Sequence, residues 1–146
     1  MKIVVQRVVS ARVEVDLENV GNITKGLLLL VCLEAGDDDK KISKAVEKIA
    51  KLRIFEDENG KMNLDVIQTQ AQILSVSQFT LAWTGEGGNR PSFENAMQPA
   101  MAQLLWQKFN RLLEERLGQN IETGKFGAEM KIFMIGDGPV TFSLDF

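Results

Sequence analysis

Gly26-Leu27-Leu28-Leu29-Leu30-Val31-Cys32-Leu33 is apolar on both of its faces. Successive side chains of a strand point to opposite sides of a sheet, so a strand of this composition must be covered twice, and the run predicts a central strand. Toward the N-terminus, Lys2 to Val9 is rich in β-branched residues and Ala11-Arg12-Val13-Glu14-Val15-Asp16 alternates apolar with charged. The two read as strands that pair with one another, followed by a turn over Leu17-Glu18-Asn19-Val20-Gly21. Arg7 interrupts the first of them. A cation there needs a partner if it points inward, and the solvent face is the commoner place for it.

Beyond the central run, Gly36-Asp37-Asp38-Asp39 supplies a helix start with carboxylates near the first turn. The helix that follows carries Ile42, Ala45, Val46, Ile49 and Ala50 on one face, and Lys40, Lys44, Lys48 and Lys51 in a second stripe. Such a stripe is usually a solvated face, although it also suits phosphates. Arg53 to Leu64 reads as a strand and a turn, with Asn59-Gly60 tolerating positive φ. Asp57-Glu58-Asn59 lacks the twelve-residue pattern of a calcium loop. Pro99 can occupy the first turn of a second helix, with Met101, Leu104, Leu105, Phe109, Leu112 and Leu113 as its apolar face and Gly118 as its stop. From Gln119 the chain returns to β structure, with strands at Lys131 to Ile135 and Val140 to Phe146 joined by the turn residues Gly136-Asp137-Gly138-Pro139. That connection sets bare carbonyl groups at a loop tip.

Ser75 to Phe93 departs from the pattern of a core strand. Leu74, Val76, Gln78 and Thr80 share one face and Ile73, Ser75, Ser77, Phe79 and Leu81 the other, so polar and apolar side chains mix on both. Small hydroxyl and amide residues running into a loop with Gly85, Gly87 and Gly88 mark a place where backbone groups are left to meet a ligand. An edge strand that ends in a surface loop is the alternative.

Composition limits the chemistry. The 146 residues, 45% of them hydrophobic, suit one domain spanning 1–146. The apolar run at Met1 to Val5 is shorter than a signal peptide's and no stretch is long enough to span a membrane, so a cytoplasmic protein is expected. Cys32, the single cysteine, reads as a small buried hydrophobe. There is no histidine, which removes the usual general base and the usual metal ligand. A net charge of -3 argues that any contact with nucleic acid is local.

Ser77-Gln78-Phe79-Thr80-Leu81, Arg90-Pro91-Ser92-Phe93, Phe126-Gly127-Ala128 and Asp137-Gly138-Pro139-Val140-Thr141, in this order, resemble the D-aminoacyl-tRNA deacylases, as do Gln6-Arg7-Val8, Arg53-Ile54-Phe55 and Lys61-Met62-Asn63-Leu64. The likeness runs nearly end to end. It implies a single α+β domain, mostly an antiparallel β-barrel-like sheet packed with two main helices, in a homodimer. It also implies hydrolysis of the ester that joins a D-amino acid, or glycine mischarged on tRNA(Ala), to the 3′ end of tRNA, with no metal or other cofactor. Ser77, Gln78, Phe79 and Thr80 would line the catalytic pocket. Gly138 and Pro139, joined by a cis peptide, would reach in from the partner subunit to hold the amino group and reject L side chains. Arg7 would fix that loop, which replaces the solvent-face reading, and Met130 would border the pocket.

The chemistry fits the composition. An aminoacyl ester is already activated, so a site that positions it and offers the N–H groups of Phe79 and Thr80 to the developing oxyanion can work without histidine. A Thr80 hydroxyl with no neighbouring base is a weak nucleophile, which favours assistance by the 2′-hydroxyl of the tRNA's terminal ribose. Discrimination of 10⁴ against the L enantiomer requires about 5.5 kcal/mol, within reach of a rigid backbone wall. Glycine has no side chain to exclude and should pass. The chain departs from the family pattern at Gly136, usually asparagine, at Glu129, usually aspartate, and in the loop Ala82 to Asn89, which lacks the usual basic residues. Two alternatives stand beside this reading: a non-catalytic module, its activity removed by these departures, that binds the tRNA acceptor end or single-stranded nucleic acid, and an editing hydrolase of related fold acting on another misacylated tRNA.

Overall fold

The computed structural model describes residues 1–86 and 88–146; Gly87, one of the three loop glycines, lies outside them. The elements in chain order are β1 (Lys2–Val15), β2 (Glu18–Ile23), β3 (Gly26–Cys32), α1 (Asp39–Ala50), β4 (Phe55–Glu56), β5 (Met62–Leu64), β6 (Gln72–Ser77), a 3₁₀ turn (Phe79–Ala82), α2 (Pro99–Leu117), β7 (Glu122–Thr123) and β8 (Lys131–Asp145).

The central strand is where its composition puts it. β3 lies between β1 and β6 and sends Leu27, Leu29 and Val31 into the core beneath the helices, and Leu28 and Leu30 into a smaller core with Val8, Val13, Leu74 and Val76. The sheet runs β2-β1-β3-β6-β7, with β8 along the other side of β1. β1 pairs antiparallel with β2, β3 and β8, whereas β3–β6 and β6–β7 are parallel. Three of the five pairings are antiparallel, as expected, and the two parallel ones make the sheet mixed. Parallel neighbours need long crossovers, and the stretches that hold α1 and α2 supply them. Asn22 N–H reaches Glu122 Oε2 at 3.3 Å, so β2 approaches β7 and the sheet is nearly closed.

Two expected hairpins do not form. Lys2 to Val15 is one strand, its first half paired with β3 and its second with β2, and the turn into β2 tightens to Asp16-Leu17, both at positive φ. Lys131 to Asp145 is likewise one strand along β1: Thr141 faces Gln6 and Gly136 faces Val8, so residues 137–140 bulge out opposite Arg7. α1 buries the five residues its periodicity selects, and Asp38 caps it by accepting from the N–H groups of Lys40 and Lys41. α2 is turned relative to expectation. Ala102, Trp106, Phe109, Asn110 and Leu113 are buried, Leu105 and Leu112 pack at the margin, and Met101 and Leu104 face outward. β4 and β5 form the hairpin read at 53–64, turning through Gly60.

Candidate active site

β6 is an inner strand, flanked by β3 and β7, which overturns the edge-strand alternative. Ser75 is fully buried and accepts from the indole Nε1 of Trp106 at 3.1 Å, so one polar residue in the strand is a packing partner for α2. The strand stops where Gln78 N–H donates to the Val31 carbonyl at 2.8 Å, and the chain then turns in the 3₁₀ segment instead of continuing extended to Leu81. The first N–H groups of a helical turn have no acceptor within it. Those of Phe79 and Thr80 donate to no acceptor among the described residues. Gln78 Nε2 donates to Thr80 Oγ1.

This strand end opens onto a cavity of about 550 Å³. One wall is Ser77, Gln78 and Phe79; Met130 and Ile132 come from the start of β8 and its approach; Phe126, Gly127 and Ala128 form a third side; Phe93 and residues 96–99 close the fourth. Met97 N–H donates to the Leu33 carbonyl at 3.0 Å and Ala35 N–H to that of Asn95 at 2.9 Å, which pins this last segment to the end of β3. Phe79 meets Phe93 edge to face with centroids 5.0 Å apart, and Trp106 supports Phe126 at 5.8 Å. The cavity is mostly apolar with a few polar groups at one side, the usual make-up of a small-molecule site.

Of the residues named from sequence, the cavity gathers Ser77, Gln78, Phe79 and Met130. Thr80 sits exposed just beyond its lining. Gly138, Pro139 and Arg7 are not in the lining and form a second group at the β1–β8 bulge. There Arg7 is buried. Its Nε lies 3.0 Å from Asp137 Oδ2 and donates to the Asp137 carbonyl at 3.3 Å, Nη1 donates to the Ile54 carbonyl at 2.6 Å, and Nη2 approaches Glu56 at 3.5 Å. Every side of the guanidinium therefore has a partner, as a buried cation requires. The Gly138–Pro139 peptide is cis, and Gly138 has φ +132°, where a Cβ would stand 2.7 Å from Val140 Cγ2.

Phe93 and Phe126 were quoted from the sequence only as parts of matching motifs, Met97 and Ile132 not individually, and none was given a role in the site. Apolar side chains that line a cavity carry the same pattern as those that fill a core, so composition gives no separate signal. Cys32 is buried behind the site, its Sγ 3.6 Å from the Phe79 carbonyl. Burial, with the charge of Glu34 next, pushes its thiol up to about 11, so it stays protonated and poorly nucleophilic at neutral pH.

Residues 4–145 match the family model described as D-Tyr-tRNA(Tyr) deacylase. A D-aminoacyl-tRNA deacylase from Lactobacillus acidophilus is 54% identical over 99% of both chains, and one from Persephonella marina is 50% identical over 97% of this chain and 95% of its own. Among solved structures, one titled c-Myc DNA Unwinding Element Binding Protein is 40% identical, covers 99% of this chain and 98% of its own, and superposes with a TM-score of 0.93. A probable eukaryotic D-amino acid tRNA deacylase, 16% identical over the same shares, gives 0.86 and shares the fold. The fold and the relatives define a hydrolase acting on aminoacyl-tRNA. The chain belongs to the D-Tyr-tRNA(Tyr) deacylase family and is a D-aminoacyl-tRNA deacylase.

Proposed function

We propose that this deacylase works as a cytoplasmic homodimer whose pocket receives the aminoacylated 3′ end of tRNA, and whose chiral filter comes from the other subunit. The observation that carries this reading is the separation of the two residue groups. Ser77, Gln78, Phe79 and Met130 line the cavity, while Gly138 and Pro139 stand outside its lining on a bulge of β8. The same strand exposes Ile132, Phe133, Met134, Ile135 and Phe142. An outward apolar strand of this kind favours a second copy, and a twofold arrangement would bring one subunit's bulge to the other's pocket.

In this site the N–H groups of Phe79 and Thr80 hold the oxyanion, and the carbonyl groups of Gly138 and Pro139 from the partner accept from the substrate's ammonium. A D side chain points away from that wall and an L side chain runs into it. Water adds to the ester carbon, the bond to the ribose oxygen breaks, and a proton passes to that oxygen with the neighbouring 2′-hydroxyl as relay. No protein base is needed. Glycine passes the filter, so glycyl-tRNA(Ala) is a substrate.

The test is one tRNA charged in parallel with D-tyrosine, L-tyrosine and glycine, given to the wild type and to Thr80→Val. The expected result is rapid loss of the D and glycyl esters, the L ester spared, and turnover by Thr80→Val within about threefold of wild type, since the variant keeps the backbone N–H that holds the oxyanion and loses only the hydroxyl. Equal hydrolysis of both enantiomers would remove the chiral filter, and a thousandfold drop in the variant would make Thr80 the nucleophile.

A further inference from the structure

The exposed end of α1 carries a cluster of cations that the site does not use. Lys44, Glu47, Lys48, Lys51, Leu52 and Arg53 line a shallow groove of about 340 Å³, four cations to one carboxylate in a chain whose net charge is -3. Glu47 is engaged by Lys51 at 2.7 Å and by Arg116 at 2.7 Å, and these partners hold its carboxyl below the usual range. Lys44 and Lys48 are exposed and make no ion pair among the described residues. Four residues apart on one helix, they are separated by about 6 Å along its axis. Two ammonium groups spaced like this, beside Arg53, suit a backbone that carries one negative charge per nucleotide.

The groove is also placed with respect to the loop. The residue after Arg53 is Ile54, whose carbonyl accepts Arg7 Nη1, and Arg7 holds Asp137 beside Gly138. Two residues' contacts thus join the groove to the 137–139 bulge. On the reading above, that bulge enters the partner's pocket, and the groove travels with it to the rim.

We propose that Lys44 and Lys48, with Arg53, bind phosphates of the acceptor-stem duplex of the tRNA whose 3′ end occupies the partner subunit's pocket. This rests on the trans arrangement proposed above. It gives the chain the backbone contact that its loop at 82–89, which has no lysine or arginine, does not supply. Phosphate contacts of this kind fix position and carry no sequence information.

The experiment titrates an acceptor-stem minihelix RNA ending in CCA against the wild type, Lys44→Glu/Lys48→Glu and Lys25→Glu over a series of salt concentrations. Lys25 is exposed in the turn between β2 and β3, away from α1 in the sequence, and serves as the control for charge alone. Loss of two phosphate contacts should weaken binding about tenfold at low salt and reduce the slope of log K against log [salt] by about 2, with Lys25→Glu close to wild type. Lys48 lies in the last turn of α1, where a cation offsets the helix dipole. Lys44→Gln/Lys48→Gln is therefore the second variant, and should lower the slope equally. Slopes equal to wild type in both double variants, or a wild type with no salt dependence, would overturn the proposal. Hydrolysis of D-tyrosyl adenosine, which has no stem, should be unchanged by either pair. Failure of the wild type to hydrolyse D-tyrosyl-tRNA would sink the functional reading instead, and the slopes would still decide the groove.

Discussion

Gly124 controls how far Met130 intrudes on the pocket. A Cβ at this position would stand 2.7 Å from Met130 Sδ and 3.6 Å from Val76 Cγ2. Val76 is fixed in the second core, so a methyl group here displaces the flexible thioether, and Met130 lines the cavity. Gly124→Ala should therefore narrow the space for the substrate. We expect kcat/KM for D-tyrosyl-tRNA to fall about tenfold while that for glycyl-tRNA changes little, with a stability loss of about 1 kcal/mol from overpacking. Parallel kinetics on the two esters check this; an equal fall on both would place the thioether away from the amino acid. Gly138 is a different case. Its φ of +132° is closed to L side chains, so no neighbour can yield to accommodate one.

Among the elements, the start of β1, the entry to α1 and the end of β8 converge on one buried carboxylate. The Met1 amine lies 2.7 Å from Asp37 Oδ1 and 3.1 Å from Glu34, and donates to the Phe146 carbonyl at 3.3 Å. Burial would raise the Asp37 carboxyl, but hydrogen bonds from the Met1 amine, the Glu34 N–H and Lys41 outweigh it and hold the group below its ordinary value of 3.8. A depressed carboxylate contributes stability that is complete above its unfolded pKa and is lost as the pH falls through the folded one. Asp37→Asn should lower stability by about 3 kcal/mol near neutral pH. The gap between wild type and variant should then shrink below pH 3.8. Urea unfolding at neutral and acid pH measures it, and a gap independent of pH would mean that shape rather than charge is lost. β3 was legible because it is apolar on both faces, and α1 because its buried residues follow a single helical period. β1 was not, because its burial phase slips at Arg7 and Val8, and in a sequence a bulge looks like the end of one strand and the start of another. The direction of β6 was equally hidden, since a strand's own side chains do not record whether its neighbours run parallel. The site was legible at Ser77 and Gln78 through their polarity, whereas Phe93 and Phe126 entered only within matching motifs, because by themselves they look like core.

At the scale of the whole molecule, the question is whether a pocket and a loop from one chain ever serve the same substrate. Two variants separate the possibilities. Gly138→Val breaks the loop, because its side chain would overlap Val140. Ala128→Trp fills the cavity and leaves the bulge alone. Each protein by itself should be inactive, and light scattering should first establish that each still forms the dimer that the apolar β8 face favours. If the loop acts within its own chain, every subunit in a mixture carries a defect and the mixture stays inactive. If it acts across the interface, a mixed dimer has one site built from the open pocket of the Gly138→Val subunit and the intact loop of the Ala128→Trp subunit. Random exchange makes half the dimers mixed, each with one working site of two, so refolding equal amounts together should restore about a quarter of the wild-type activity. Recovery would also fix where the stem of a bound tRNA must leave the protein. On that outcome it would leave a site whose rim is shared by two subunits, beside the lysines of the chain that lends the loop.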